Sequence, residues 1–250
     1  MRADTVGVTL AVAGLTLAAS SALLAKSTPL TALGASTALV GVVLWSIHRG
    51  QAMMPVEAAE LLMEASLGNI SAILEEFGVR EAPKAVYLPS SLCPGGPRAL
   101  IPLKSSTPER VKVLEKRVIA KYGPGEEDIG LLVLTPGSIA ASRAELEPTA
   151  ESLESALSSV VSSLGLADSA KVAEAQGHIR VEVSNERVRL RETWASRALG
   201  SLMASIAASL AAEAYRAPVT VEHEEQRGRS RTILLKVHLK QPFSTKPAEA

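Results

Sequence analysis

The first fifty residues form two long uncharged apolar segments that are separated by a short polar break. Residues 5–25 contain no ionised side chain, and Lys26-Ser-Thr-Pro29 precedes a second uncharged segment over 30–47. At a helical rise of 1.5 Å per residue, a segment of this length reaches about 30 Å, the thickness of the hydrocarbon core of a bilayer. The pattern therefore predicts a transmembrane helical hairpin over residues 1–50, with spans at about 5–25 and 30–47.

Two other interpretations of this region remain open. A soluble helical hairpin would carry a charged residue at every third or fourth position on one face, and neither segment does. A cleaved signal peptide followed by one span is the stronger alternative, because small residues at Ala19-Ser-Ser-Ala22 resemble a cleavage site. Asp4 beside Arg2 and the length of the first apolar segment favour two spans over a signal peptide.

The few charges around the two segments predict their orientation. Arg2 and Arg49 flank one side of the hairpin, and Lys26 lies alone on the other. Because cytoplasmic loops carry the excess of Lys and Arg, we expect a multi-pass protein of the cell membrane with both termini in the cytoplasm. Trp45, His48, Arg49 and Lys26 are the candidate interfacial residues, and the bilayer is the expected partner.

Small residues recur at four-residue spacing within both segments, as at Gly7 and Ala11 and at Gly34 and Ala38. In lipid, small side chains let two helices approach closely enough for dispersion contacts to stabilise the pair. We expect a tight hairpin. Self-association through the spans remains an open alternative.

The first half of the remaining chain mixes helical and strand patterns. An amphipathic helix is predicted from Pro55 to Gly78, strands are predicted at 84–88, 98–103 and 129–134, and a helix is predicted to start at Thr107-Pro108 and continue as a mixed segment to Tyr122.

The second half has clearer periodicity. Helices are predicted at 149–164 and 191–215, with hairpins at 171–183 and from Val219 to Leu239. On the last hairpin, alternation places Glu222 and Glu224 on the outward face opposite Lys236 and Lys240, and it places His223 and His238 on opposite faces. We predict an α+β fold with a cytoplasmic domain at 51–240, either as one body or as two related lobes split near residue 148, and a disordered tail at 241–250.

Composition narrows the function classes. Lys plus Arg and Asp plus Glu number 26 each, so a basic surface for nucleic acid is not expected. The single cysteine excludes an internal disulfide and a multi-cysteine metal site. Asparagine occurs only at 69 and 185, a depletion typical of thermophilic proteins.

Candidate chemistry is sparse. Cys93 is the single thiol and a candidate nucleophile, although no histidine lies at a diagnostic spacing from it. Thr135, Gly137 and Ser138 follow a predicted strand and precede a helix, a place where ligands often bind. The glycine-bearing loops at 94–97 and 123–125 do not match a phosphate-binding pattern such as GxxxxGK[ST] or GxGxxG. We therefore expect no metal site and no cofactor.

Residues 196–239 combine a helix that has a small-residue face, a PVTVEHEE strand, a short turn and a final strand. This order resembles the end of the four-vinyl reductase domain, a small-molecule-binding α+β module that sometimes carries a cysteine-containing metal site. The terminal hairpin of this chain has no cysteine, so the metal site is not implied. The overall layout also resembles uncharacterised archaeal membrane proteins with two spans and a cytoplasmic domain.

Together these features predict a membrane-anchored, noncatalytic cytoplasmic domain that binds a protein partner or a small ligand, as a single chain or as a subunit of a membrane assembly. The alternative is an enzyme at the membrane surface that uses Cys93 or the 135–138 turn. The sequence leaves open whether the protein is an enzyme.

Overall fold

The computed structural model describes residues 3–50, 56–79, 83–104, 111, 114, 117–175, 177–188 and 190–238. It divides into two compact units, residues 1–55 and residues 56–250. The predicted disordered tail, Lys240 and most of residues 105–116 lie outside the described residues.

The first unit is an antiparallel pair of helices, α1 (Ala3–Ser20) and α2 (Thr28–Gly50). A single π-helical turn, Ser21–Ala25, extends α1, and Lys26 ends it in the left-handed conformation with φ 43°. Both helices are long and apolar enough to cross a membrane, a test that signal sequences and buried core helices also pass.

The two helices are in direct backbone contact. A Cβ atom added at Gly14 would lie 2.3 Å from the backbone nitrogen of Ala38, and one added at Gly34 would lie 2.4 Å from that of Ala18. The large aliphatic side chains point outward instead, and only 17% of each apolar window is buried. The hairpin thus has small residues inside and Leu and Val outside, the reverse of a water-soluble helix pair.

The second unit is an α+β domain that begins with the helix α3 (Val56–Glu76). Its other helices are α4 (Pro136–Ala141), α5 (Ala150–Ser163), α6 (Trp194–Leu199) and α7 (Leu202–Tyr215). Its strands are β1 (Val86–Leu88), β2 (Arg98–Pro102), β3 (Ile119–Lys121), β4 (Ile129–Val133), β5 (Ser169–Ala175), β6 (His178–Ser184), β7 (Val219–Arg227) and β8 (Ser230–Val237).

All eight described strands form one antiparallel sheet in the order β3-β4-β2-β1-β7-β8-β6-β5. The first four strands and the last four have the same internal order, and the halves meet where β1 pairs with β7. The predicted α+β fold is confirmed. The division of this domain into two lobes stays a prediction.

The main core lies between the sheet and the helices α5 and α7. Helix α7 is buried over nearly its whole length, including Met203, Ile206 and Leu210, none of which has measurable exposure. Strand residues Ile179, Val181 and Ile233 face it. Alanine recurs along α7 because the sheet and two helices surround it and leave little room for larger side chains. A second apolar cluster covers the opposite face of β1, β2 and β4.

Within the segment to Tyr122 that was predicted as mixed, residues 119–121 form the strand β3, because they pair with β4 from Ile119 to Lys121. Two sequence predictions are wrong in detail. The long helix predicted over 191–215 is broken into α6 and α7 at Gly200, whose φ is 75°. The last hairpin contains a β-bulge between Val221 and His223, which changes which side chains face inward.

Candidate functional site

The described part of the second unit contains a cavity of about 700 Å³. Its aliphatic walls come from α3, from the segment after β6 and from α7, with Leu67, Ile70, Val188, Leu190 and Leu202 among them. Small-molecule sites typically have this size and combine apolar walls with a few convergent polar groups. The polar groups therefore decide what this cavity can hold.

The break between α6 and α7 places polar backbone groups at the cavity. Gly200 ends α6 in a conformation that favours glycine, and the Ser201 side chain caps α7 by accepting a hydrogen bond from the Ala204 N–H at 3.1 Å. The Ser201 N–H donates to Glu224 Oε2 at 3.1 Å. A carboxylate thus lies at the N-terminus of α7, where the helix dipole stabilises negative charge.

The bulge in β7 explains how Glu224 reaches this position. Val221 pairs with Leu235 and Glu224 pairs with Ile233, so that both lie on the inward face, while His223 pairs with Leu234 on the outward face. Glu222 is the extra residue of the bulge. A bulge re-aims the side chains beyond it, and here it directs Glu224 into the cavity. The predicted outward position of Glu224 is therefore wrong.

The prediction that Glu222 lies on the outward face opposite Lys236 is correct, because Glu222 Oε1 lies 3.6 Å from Lys236 Nζ. The histidines also differ from the prediction: His223 lies on the outer face, and His238 Nε2 lies 3.0 Å from the hydroxyl of Thr220, which pairs with Lys236 on that same face. The bulge accounts for this difference as well.

Glu224 belongs to a buried charged group with Arg231 and Glu186. Arg231 Nε donates to Glu186 Oε2 at 2.9 Å, Nη1 donates to Glu224 Oε1, and Nη2 donates to Gln226 Oε1 at 3.0 Å. The side chains of Arg231, Glu186 and Glu224 are 13%, 2% and 18% exposed. Two carboxylates share one guanidinium, so the group carries a net negative charge at the polar end of the cavity.

Ser205 is the second polar feature of the cavity. It lies one turn after Ser201 on α7, is 6% exposed, and its Oγ makes no hydrogen bond within the described residues. The neighbouring Tyr87 hydroxyl donates to the Leu199 carbonyl oxygen at 2.5 Å. Burial raises the pKa of Tyr87 well above its usual range, and its side-chain interaction with the Ser205 hydroxyl opposes that rise. Ser205 thus lies beside the Tyr87 hydroxyl and keeps further hydrogen-bonding capacity at the cavity.

The predicted ligand residues are only partly at the cavity. Thr135 lines it, but Thr135 and Ser138 use their hydroxyl groups in a reciprocal cap of α4, with Ser138 N–H to Thr135 Oγ1 at 3.1 Å. Gly137 packs against α7, since an added Cβ would lie 2.6 Å from the Ser205 carbonyl oxygen. This turn positions α4 against α7, and Gly137 and Ser138 are not among the residues that line the cavity.

Cys93 lies in the second apolar cluster and is 2% exposed. Burial raises its pKa to about 11, although nearby Arg98 opposes the rise. A thiol nucleophile needs a lowered pKa and access to substrate, and Cys93 has neither. Within the described ranges, no group of three or more His, Cys, Asp or Glu side chains is arranged to hold a metal ion.

The candidate interfacial residues lie in the first unit. Lys26 is exposed in the turn between the two helices. The backbone of Trp45 contacts α1, where a Cβ on Gly7 would lie 3.0 Å from its nitrogen. His48 and Arg49 belong to the last turn of α2, and their side chains are outside the described part of the structure.

Sequence reasoning did not single out Ser201, Ser205 or Arg231, and it placed Glu224 on the outward face. The Gly200-Ser201 pair was a usable signal, because glycine commonly ends a helix and serine commonly begins one. The bulge left no comparable signal, since the strand alternates regularly through Val221 and His223.

The fold and the cavity define the class of protein: two apolar helices followed by an α+β domain with a partly apolar cavity that holds a buried group of two carboxylates and one guanidinium. Residues 2–237 match the family described as Domain of unknown function (DUF7982), and the chain belongs to this family. Comparison with curated proteins finds no match, and comparison with solved structures finds none either.

Proposed function

We propose that this protein is a membrane-anchored, noncatalytic module whose second unit binds a small ligand in the cavity lined by α3, α6 and α7. The observation that carries the proposal is the cavity itself, about 700 Å³ in volume, with aliphatic walls and a small number of convergent polar groups. The noncatalytic part is supported by the setting of Cys93, which is that of a packed apolar side chain.

The anchor is supported by the distribution of side chains on α1 and α2. Exposed Leu and Val surround a seam of Gly and Ala, the arrangement expected when the surrounding medium is lipid. We propose two spans with both termini and the second unit in the cytoplasm, from the charges at Arg2, Lys26 and Arg49.

The resemblance of residues 196–239 to the end of four-vinyl reductase domains agrees with ligand binding. This resemblance, the archaeal-type layout and a thermophilic source are predictions from the sequence. A protein partner, or self-association through the spans, is the second candidate function. Exposed apolar residues on α3, such as Leu61 at 68% and Leu62 at 61%, favour the protein partner.

Ligand binding is tested by calorimetry on the full-length protein in lipid nanodiscs, with empty nanodiscs subtracted. The probes are hexanol, hexylamine and hexanoate. We expect saturable binding of at least one probe, lost in Leu67→Trp, which fills the cavity, and retained in Leu61→Trp on the exposed face of the same helix. Ser66→Trp at the exposed part of the cavity wall is a second blocking variant that leaves the core intact. Binding of no probe, or binding that survives both blocking variants, would overturn the proposal.

The anchor and its orientation are tested in a Cys93→Ala background. A membrane-impermeant maleimide should label Ser27→Cys, in the turn between the helices, on intact cells. It should label Arg180→Cys, whose side chain is 59% exposed on β6, only after lysis. Recovery of the protein in the supernatant after ultracentrifugation without detergent would refute the anchor, and labelling of Arg180→Cys on intact cells would refute the orientation.

A further inference from the structure

The polar end of the cavity has a specific electrostatic character. Glu186, Glu224 and Arg231 are all largely buried and together carry one uncompensated negative charge. The Ser201 N–H and the α7 dipole stabilise Glu224 in part, because they supply a partial positive charge and not a full one. A buried excess charge is costly unless a counter-charge is present.

The other charged residues at the cavity are exposed or partly exposed, so that water screens their effect on the buried group. Lys84 is exposed and donates to the backbone carbonyl of Glu222, whose carboxylate lies on the outer face near Lys236. Arg197 is exposed, with its guanidinium 5.8 Å from the ring centroid of Trp194. Glu192 is exposed and adds a further negative charge to the wall.

A second observation points independently to a ligand at the same place. Ser205 lines the cavity, is 6% exposed, and its Oγ makes no hydrogen bond within the described residues. Ser205 lies about 6 Å along α7 from Ser201, on the same face of the helix. Since the Ser201 N–H contacts Glu224, the Ser205 hydroxyl and the carboxylate lie at the same end of the cavity.

The side chains that line the cavity favour an aliphatic ligand over an aromatic one. The walls are built from aliphatic side chains such as Met63, Leu67, Ile70 and Leu190, and the described lining residues include no Phe, Tyr or Trp, while the His223 ring lies on the outer face of the sheet. A site of this kind offers dispersion contacts to an aliphatic chain and lacks the flat stacking surfaces that an aromatic or nucleobase ligand would use.

We infer that the cavity binds an aliphatic molecule with a protonated amine at one end, the ammonium lying between the Glu224 carboxylate and Ser205 Oγ. An ammonium has three hydrogens to donate, and both the carboxylate and the hydroxyl oxygen accept them. This inference rests on the proposed ligand-binding function and specifies its chemistry. An anionic ligand is the competing case, because Arg231 uses three of its N–H donors in the contacts described above and has others to offer.

The test compares hexylamine, hexanol and hexanoate, which share one chain and differ in the end group, on the full-length protein in lipid nanodiscs. We expect hexylamine to bind at least about tenfold more tightly than hexanol, and hexanoate to bind most weakly, because a charge-assisted hydrogen bond is about twice as strong as a neutral one. In Glu224→Gln the ratio of amine to alcohol affinity should fall to about one. Glu224→Asp keeps the charge and should retain a preference for the amine.

Glu225→Gln is the matched control. Glu225 is adjacent on β7, is half exposed, pairs with Arg227 and does not line the cavity, so the amine preference should be unchanged. Equal affinities for the three probes, tighter binding of hexanoate, or an amine preference that persists in Glu224→Gln would overturn the inference and leave ligand binding in place. Failure of every probe to bind would instead overturn the proposed function.

Discussion

Arg231 offers a direct test of how the buried charged group contributes to stability. Replacing it with methionine keeps a side chain of similar length but removes the donor shared by Glu186, Glu224 and Gln226. The two carboxylates would then lie side by side without a cation, one of them with only 2% exposure. Removing one partner of a buried ion pair typically costs about 3–5 kcal/mol. Because Glu224 keeps the Ser201 N–H and some contact with water, we expect Arg231→Met to lower the free energy of unfolding by about 3 kcal/mol, the lower end of that range.

The assay is urea unfolding of the full-length protein in lipid nanodiscs, followed by Trp194 fluorescence in a Trp45→Phe background. Arg227→Met is the matched control, since Arg227 lies on the same hairpin, is 80% exposed and pairs with Glu225. An exposed ion pair of this kind contributes less than about 1 kcal/mol. Added salt should reduce the loss of unfolding free energy in Arg227→Met. It should leave the loss in Arg231→Met nearly unchanged, because salt screens buried ion pairs much less than exposed ones.

A second substitution identifies the cause. If the loss in Arg231→Met comes from unpaired buried charge, adding Glu186→Gln should recover at least about 1 kcal/mol, since one of the two carboxylates is then neutral. If the loss comes from packing alone, the second change should make the protein less stable still. A single-variant effect within about 0.5 kcal/mol of the Arg227→Met control would refute the reasoning altogether.

Four further predictions concern packing, reactivity and the pH dependence of stability. Gly14→Val should disrupt the helix pair, because a Cβ there would lie 2.3 Å from a backbone nitrogen of α2. We expect faster hydrogen exchange of the backbone amides in both helices. The control Ala19→Val, at an exposed position, should leave the exchange rates unchanged. Gly137→Ala should destabilise the protein by about 1–3 kcal/mol, because the added Cβ would overlap the backbone of α7. Gly68→Ala, with open space around it, should stabilise the protein by about 0.5–1 kcal/mol. The two variants should shift the midpoint of urea unfolding in opposite directions. At pH 8, Cys93 should react with iodoacetamide at least about two hundred times more slowly in the folded than in the urea-unfolded protein, because its folded pKa of about 11 leaves far less thiolate than an unfolded value of about 8.5. Because its pKa is raised in the folded protein, the Cys93 thiol also contributes to the free energy of unfolding. This contribution is fully present below about pH 8.5 and decreases as the pH approaches 11.

Several features of the fold follow from local patterns and were predictable. The two uncharged segments, the amphipathic α3 and the alternating strands β5 and β6 each carry a period that matches the element observed. The α+β class follows from their order along the chain. Strand β3 was not predictable in this way, because it is three residues long and is held by pairing with β4.

The sequence by itself determined the elements whose stability depends on their own residues: the apolar helices, the turn at Gly228 and the strands that alternate without interruption. The cavity was decided by tertiary structure. Glu224 faces inward because β7 contains one residue more than β8 between Val221 and Glu224, and the inward direction of a strand position depends on pairing with its neighbour. Arg231, Glu186 and the N-terminus of α7 come from distant parts of the chain, so no local period could indicate that they meet.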